Sequence, residues 1–443
     1  MQKVKPVALL LIAFAFAPAV ARADALHTDR HEEETILRPD SLLTRARDFG
    51  LARLNQTVSR LGLTHGGHEP ADDHYLTAFV GDFAYRWPYR STSVYRPTPA
   101  WRYNRVDGVV LGIRMRPLEW DSYERTGVHG QFGYAFASKR LQYEIGAEAR
   151  LGEPYGEEGA DVKFGGSYRR MTATDDLWKS SWAENTLGAF FFNHDIFDYY
   201  ETEGWSVYSA ARISPYLQFS AGFRSEDYRS VGRETGWSLF GGDHFRFNPP
   251  VRDGHMQSVV VVVEGGSISR FHSLPSGAVF RIQAELGDGL GGDFDFNRVM
   301  ADGRVYIRTT RKSSLGLRMI GGRAAQSAPV QKAFTLGGIG SVRGYPQNAF
   351  FGHAMWVGNA EFSVSDFGLV GNLLDNFQVS GFFDAGWVDG PANESFTVGD
   401  VFTSAGIGLG LFDRRVRLDL AFPLTDRGGS KDPSLWLRLI PAF

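Results

Sequence analysis

The sequence predicts an all-β protein, a transmembrane antiparallel β-barrel of about sixteen strands with a short N-terminal helix. Three observations point there. From Tyr75 to the C-terminus, apolar residues recur at every second position rather than at helical spacing. The segments that alternate run to about ten residues, longer than the five or six usual in soluble sheets. The 443-residue chain also holds 52 glycines and 14% aromatic residues, a composition that suits strands and tight turns. It has no cysteine and a formal charge of −3. That excludes a disulfide scaffold, a thiolate metal site and a cysteine nucleophile, and it leaves no basic excess for nucleic acid.

Lys3 and Lys5 precede the apolar run Val7 to Ala17, and small residues lead to Ala21-Arg22-Ala23. This is the plan of a secretory signal peptide, residues 1–23, removed after Ala23 on export. Residues 24–74 read as a periplasmic helical segment and linker. Leu43, Ala46, Leu54, Val58 and Leu61 recur at helical spacing between a cap at Asp40 or Ser41 and a stop at Gly62. His65, His68, Asp72, Asp73 and His74 lack the rigid spacing of a metal site and belong to a hydrated linker.

The barrel occupies 75–443. In Leu141, Tyr143, Ile145, Ala147, Ala149 and Leu151 one face is apolar, while Gln142, Glu144, Glu148 and Arg150 make the other polar. The same division recurs in 278–286 and 415–422. Such segments fall near 75–87, 105–117, 127–137, 141–152, 160–172, 205–213, 216–224, 254–264, 277–286, 294–309, 313–321, 351–364, 376–389, 402–412, 414–423 and 434–443. With the N-terminus on the periplasmic side, the long connections 88–104, 173–204, 225–253 and 322–350 all fall on the outer side, as bacterial barrels require. The connection 265–276 is moderate for a periplasmic turn. The run Val259 to Val263 is too short to span a membrane as a helix and belongs in a strand.

Two patches carry more than a generic barrel. Residues 336–345 read LGGIGSVRGY and residues 381–388 read GFFDAGWV. Both resemble motifs of the outer-membrane assembly factor superfamily, the bacterial surface antigen family. The first is similar to its Val-Arg-Gly-Phe/Tyr loop motif and the second to its Phe-x-Asp-x-Gly strand motif. The closing segment, ending SLWLRLIPAF at Phe443, is similar to the family's last strand and to its C-terminal insertion signal. Several branches of the family carry periplasmic POTRA domains and its patatin-type members an N-terminal lipase domain; residues 24–74 are too short for either, so the chain is expected to be a barrel-only member.

Alternation places Asp384 with Gln378 and Ser380, and Glu361 with Asn359 and Ser363, so both carboxylates face the lumen. Gly337, Gly338, Gly340 and Gly344 let an outer loop fold back tightly, and Arg343 offers a planar fork suited to a carboxylate. The resemblance implies that Arg343, with Gly344 and Tyr345, meets Asp384 beside Glu361 and pins the loop inside the barrel. The lumen carries mixed charge: Arg114, Arg116, Arg304, Arg318 and Arg438 against Glu144, Glu148, Glu285 and Asp302.

No Gly-x-Ser-x-Gly elbow, HExxH or Walker loop occurs. Gly287, Gly289 and Gly292 match Gly-x-Gly-x-x-Gly, but no helix follows them. Asp288, Asp293, Asp295 and Asn297 lack the spacing of a calcium loop. His129, His194, His255 and His353 are conceivable bases that the sequence pairs with no nucleophile. The expectation is a non-enzymatic barrel without metal or cofactor in the bacterial outer membrane, surrounded by lipid and lipopolysaccharide and inserted by the barrel assembly machinery. Two roles compete. One is insertion or translocation of unfolded outer-membrane or secreted proteins, or of lipids, through a weak seam between the Gly81-interrupted first strand and the Pro441-bearing last one. The other is a passive pore or structural barrel.

Overall fold

A computed structural model describes residues 98–439 except 116, 119–123, 152–160, 215, 242–244, 272–273, 366–376, 391–395, 412–415 and 427–431. The signal peptide, the helix expected at 41–62, the strand expected at 75–87 and Phe443 lie outside the described residues. So do Arg116 and Pro441.

Period-two alternation produces strands throughout. They are β1 (Thr98–Asn104), β2 (Gly108–Met115), β3 (Thr126–Ala135), β4 (Arg140–Leu151), β5 (Asp161–Ala173), β6 (Tyr200–Ser214), β7 (Leu217–Ser230), β8 (Gly254–Phe271) and β9 (Leu274–Leu286). Then come β10 (Asn297–Arg308), β11 (Ser313–Ala324), the short pair β12 (Phe334–Leu336) and β13 (Phe350–Gly352), and β14 (Ala354–Ser365), β15 (Gln378–Val388), β16 (Phe402–Leu411), β17 (Val416–Pro423) and β18 (Ser434–Leu439). Apart from β12 and β13, each pairs antiparallel with its neighbour in sequence, giving one sheet of sixteen strands with β1 and β18 at its edges. Among the described residues no backbone pairing joins those edges.

The sheet departs from the sequence reading at three places. Residues 98–104, expected within a loop, form β1; Pro99 hides that strand from an alternation search, yet proline is tolerated at an edge. The expected turn 265–276 shrinks because β8 runs on to Phe271 and β9 begins at Leu274. The expected loop 173–204 contains a helix, α1 (Trp182–Phe192). The parity holds for the expected long connections 173–204, 225–253 and 322–350, but not for 88–104, whose residues 98–104 are β1. The segments 174–199, 231–253, 287–296, 325–353, 389–401 and 424–433 all leave the same end of the sheet.

The two faces are inside-out relative to a soluble protein. Leu141, Ile145 and Leu151 are 45–69% exposed on β4, whereas Glu148 and Arg150 between them are 4% and 2% exposed. Phe132, Val207, Phe280, Ile407 and Leu435 continue the exposed apolar face, while Arg169, Glu226, Arg281, Asp302, Asp384 and Arg417 are buried on the other. A surface apolar outside and ionic inside is what lipid on one side and a polar lumen on the other demand. Helix α1 packs against both β1 and β18, so the two edges of the sheet come to one place. The outer end of the lumen is packed: Trp178, Phe334, Leu336, Val342 and Tyr345 from the connections bury against Tyr228, Met256, Ile320, Val357 and Phe402 of the wall.

Candidate functional site in the lumen

The connection 325–353 turns into the lumen between β11 and β14. Its glycine-rich part reverses through positive φ at Gly337, Gly338 and Gly340. At Gly340 a Cβ would lie 2.4 Å from the Lys179 backbone, so two connections touch where no side chain fits. Gly344 lies against the wall, where a Cβ would sit 2.6 Å from Ser404 Cβ and 2.9 Å from Pro423 N.

These turns deliver Arg343 to β15. Its Nε donates to Asp384 Oδ2 and its Nη2 to Asp384 Oδ1, both at 2.8 Å, and its backbone N–H donates to Oδ2 at 3.1 Å. Nη1 donates to Glu361 Oε2 on β14 at 3.2 Å. The guanidinium lies over the Phe382 ring at 3.4 Å, and the Trp436 indole of β18 donates to the Arg343 carbonyl at 2.8 Å. Asn359 Nδ2 donates to Asp384 Oδ1 at 2.9 Å and to the Ser341 carbonyl at 2.8 Å. Tyr345 is 1% exposed; its hydroxyl donates to the Thr425 carbonyl at 2.9 Å, and its ring meets Phe350 and Phe402 at 5.6 Å.

The network extends past the loop contact expected from the sequence, and takes in Arg438, expected there only as a lumen charge. Arg417 on β17 donates through both Nη atoms to Glu361 at 2.7 and 2.8 Å, and through Nε to Asp419 at 2.7 Å. Asp419 stands 3.6 Å from Arg438 on β18, which donates to Glu184 of α1 at 2.6 and 3.1 Å. A continuous chain of charges therefore runs from β15 through the loop arginine, β14, β17 and β18 to α1. Arg417, Asp419 and Arg438 share the lumen face by alternation. Glu184 had its own signal, the Ser181-x-x-Glu184 capping box, in which the Ser181 side chain accepts from the Glu184 N–H at 3.1 Å.

The neighbouring connection is tied to the same wall. Arg318 Nη2 of β11 donates to the Trp178 carbonyl at 2.6 Å and to Asp302 Oδ2 at 2.7 Å. Lys332 lies 3.2 Å from Asp175 and 3.1 Å from Glu285. Burial raises the Asp175 carboxyl, but Lys332 and Arg298 more than offset this and hold it down at about 2. Among the described residues no group of three His, Asp or Glu side chains is placed to hold a metal ion.

A curled antiparallel sheet that is oily outside and ionic inside, with a long inward loop bolted to its wall by one arginine, is the barrel of an outer-membrane protein. Residues 274–435, which contain that loop and its partners Asn359, Glu361, Asp384, Arg417 and Asp419, match the Omp85 superfamily domain. Residues 77–260 match the C-terminal domain of DUF5686, a family of unknown function. Among solved structures, the chain is similar to BamA from Haemophilus ducreyi lacking POTRA domains 1-3. The two are 14% identical over 78% of this chain and 70% of that one, with a TM-score of 0.51, and the likeness shows the fold. CdiB from Acinetobacter baumannii is 14% identical over 76% of this chain and 58% of its own, with a TM-score of 0.42. No curated protein matches the sequence. Superfamily and fold point to the bacterial outer membrane.

Proposed function

We propose that this barrel assists insertion or translocation of proteins at the outer membrane, working through its wall rather than through its lumen. One observation carries the reading. The outer lumen is filled by a loop bolted through Arg343 to β14 and β15, while among the described residues β1 and β18 both pack on α1 and no backbone pairing joins them. A filled lumen suits a pore poorly, and an unpaired edge is where an incoming strand adds. The superfamily of residues 274–435 and the barrel likeness to BamA support this reading.

The test compares the outer-membrane proteome of the host with and without the gene. Loss of several barrels, or of one surface protein, with their transcripts intact is the expected result. Restoration by the wild-type chain should fail for a variant whose β1 and β18 are joined by an introduced disulfide, a clean tether in a chain with no cysteine. An unchanged proteome together with steady conductance of the purified barrel would favour the passive pore.

A further inference from the structure

On the lipid-facing side of the wall, the face opposite the one the inward loop packs on, three side chains form a relay the sequence does not reveal. Ser225 Oγ lies 3.0 Å from His255 Nε2, and His255 Nδ1 lies 2.7 Å from Asp227 Oδ1. Ser225 and Asp227 stand two apart on β7 and therefore on one face, and Asp227 is directly opposite His255 of β8 in the register. That face is the outer one, since it also carries Phe219 and, across in β6, Trp205 and Val207, all 41–49% exposed. His255 is fixed at its backbone by Asp293, whose Oδ2 accepts from its N–H at 2.7 Å. Gln257, opposite Ser225, brings its side-chain amide to 3.4 Å from the same imidazole nitrogen.

The height of the relay selects the substrate. Ser225 is level with Trp205, which packs on Phe223 at 5.4 Å. One step outward the face becomes charged: Glu203 lies opposite Asp227 and Glu201 opposite Arg229, and Arg229 Nη1 donates to Glu201 and Glu203 at 3.1 and 2.8 Å. Aromatic residues followed by charges mark the boundary between acyl chains and headgroups. Acyl-ester carbonyls of membrane lipids lie at that boundary.

We propose that Ser225, His255 and Asp227 form an esterase site that hydrolyses acyl esters of membrane lipids. Asp227 accepts from Nδ1–H and leaves Nε2 as the base. His255 takes the Ser225 proton as Oγ attacks the ester carbonyl, and the Gln257 amide is placed to donate to the developing oxyanion. The acyl–oxygen bond breaks, the alkoxide of the leaving lysolipid takes the proton back from His255, and Ser225 carries the acyl group. Water, activated by the same nitrogen, then releases a fatty acid and restores the serine.

The test uses the full-length barrel folded in liposomes of phosphatidylethanolamine, or of phosphatidylethanolamine with lipopolysaccharide, with released fatty acids measured by mass spectrometry. A fluorophosphonate probe followed by peptide mapping reports the nucleophile directly. The expected results are probe attachment at Ser225 and acid release that falls at least about a hundredfold in Ser225→Ala and in His255→Gln. The heat-modifiable band of the folded barrel should remain unchanged in both. Release from the first liposomes identifies a glycerophospholipid ester, and release confined to the second identifies a lipopolysaccharide ester. An unlabelled Ser225 in the folded barrel, or hydrolysis that persists in Ser225→Ala, overturns the assignment.

Discussion

Arg343 meets Asp384 where water is excluded, and each group gave up hydration to get there; Asp384 is 0% exposed and Arg343 3%. Two parallel 2.8 Å bonds, the backbone N–H and the Asn359 amide offset that cost at Asp384. Arg343→Ala removes the guanidinium from a buried carboxylate and is expected to cost about 3–5 kcal/mol. A lower urea midpoint for loss of the heat-modifiable band would measure it. Arg343→Lys keeps the charge without the planar fork and should restore only part of that stability. The inward direction of Asp384 and Glu361 was legible because side chains in a strand alternate. That Arg417 meets Glu361 was not, since the two lie on strands β17 and β14, and only the curvature of the wall brings their faces together. His255 was hidden for a related reason: its partners lie across a strand pair, 28 and 30 residues earlier in the chain.

Helix α1 shows how an element escapes a pattern search. Its sequence WAENTLGAFFF has no clean polar stripe, and only the capping box and the left-handed Asn193 after it mark its ends. Its contacts explain its place: Thr186 accepts from the Tyr103 N–H of β1 at 3.5 Å, and Glu184 holds Arg438 of β18. Glu184→Ala is expected to loosen the seam, seen as faster amide exchange in β18 and in Tyr103 while central strands such as β8 keep their protection. The 174–199 connection should also respond to acid. Because Asp175 titrates at about 2 in the fold against an ordinary 3.8, its stabilising effect is complete above pH 4 and is lost as pH falls from 4 through 2. Amide exchange around 174–180 between pH 6 and pH 2 would show it, and Lys332→Met should flatten the response.

At the scale of the whole molecule the wall is a soluble sheet turned inside out, and the alternation that says so is written in the long strands, the valine run of β8 apart. Ile145, 69% exposed on the apolar face, should tolerate Leu but not Arg, which costs about 2–4 kcal/mol at mid-bilayer. Refolding into vesicles across a urea series would measure the difference. Fifteen of the sixteen strands were legible for the same reason, whereas β1, which carries a proline where alternation should begin, was read as part of a loop. The route of the network through the fold has a consequence for biogenesis. Glu184 and Arg438 are 254 residues apart, and Arg417, Asp419 and Trp436 all belong to the last hairpin of the chain. Until that hairpin docks, the inward loop lacks its indole anchor and Glu361 lacks Arg417. A nascent barrel that stalls before its C-terminus is in place therefore exposes unneutralised charge and a loose loop together, the marks by which periplasmic proteases could tell an abandoned chain from a finished one.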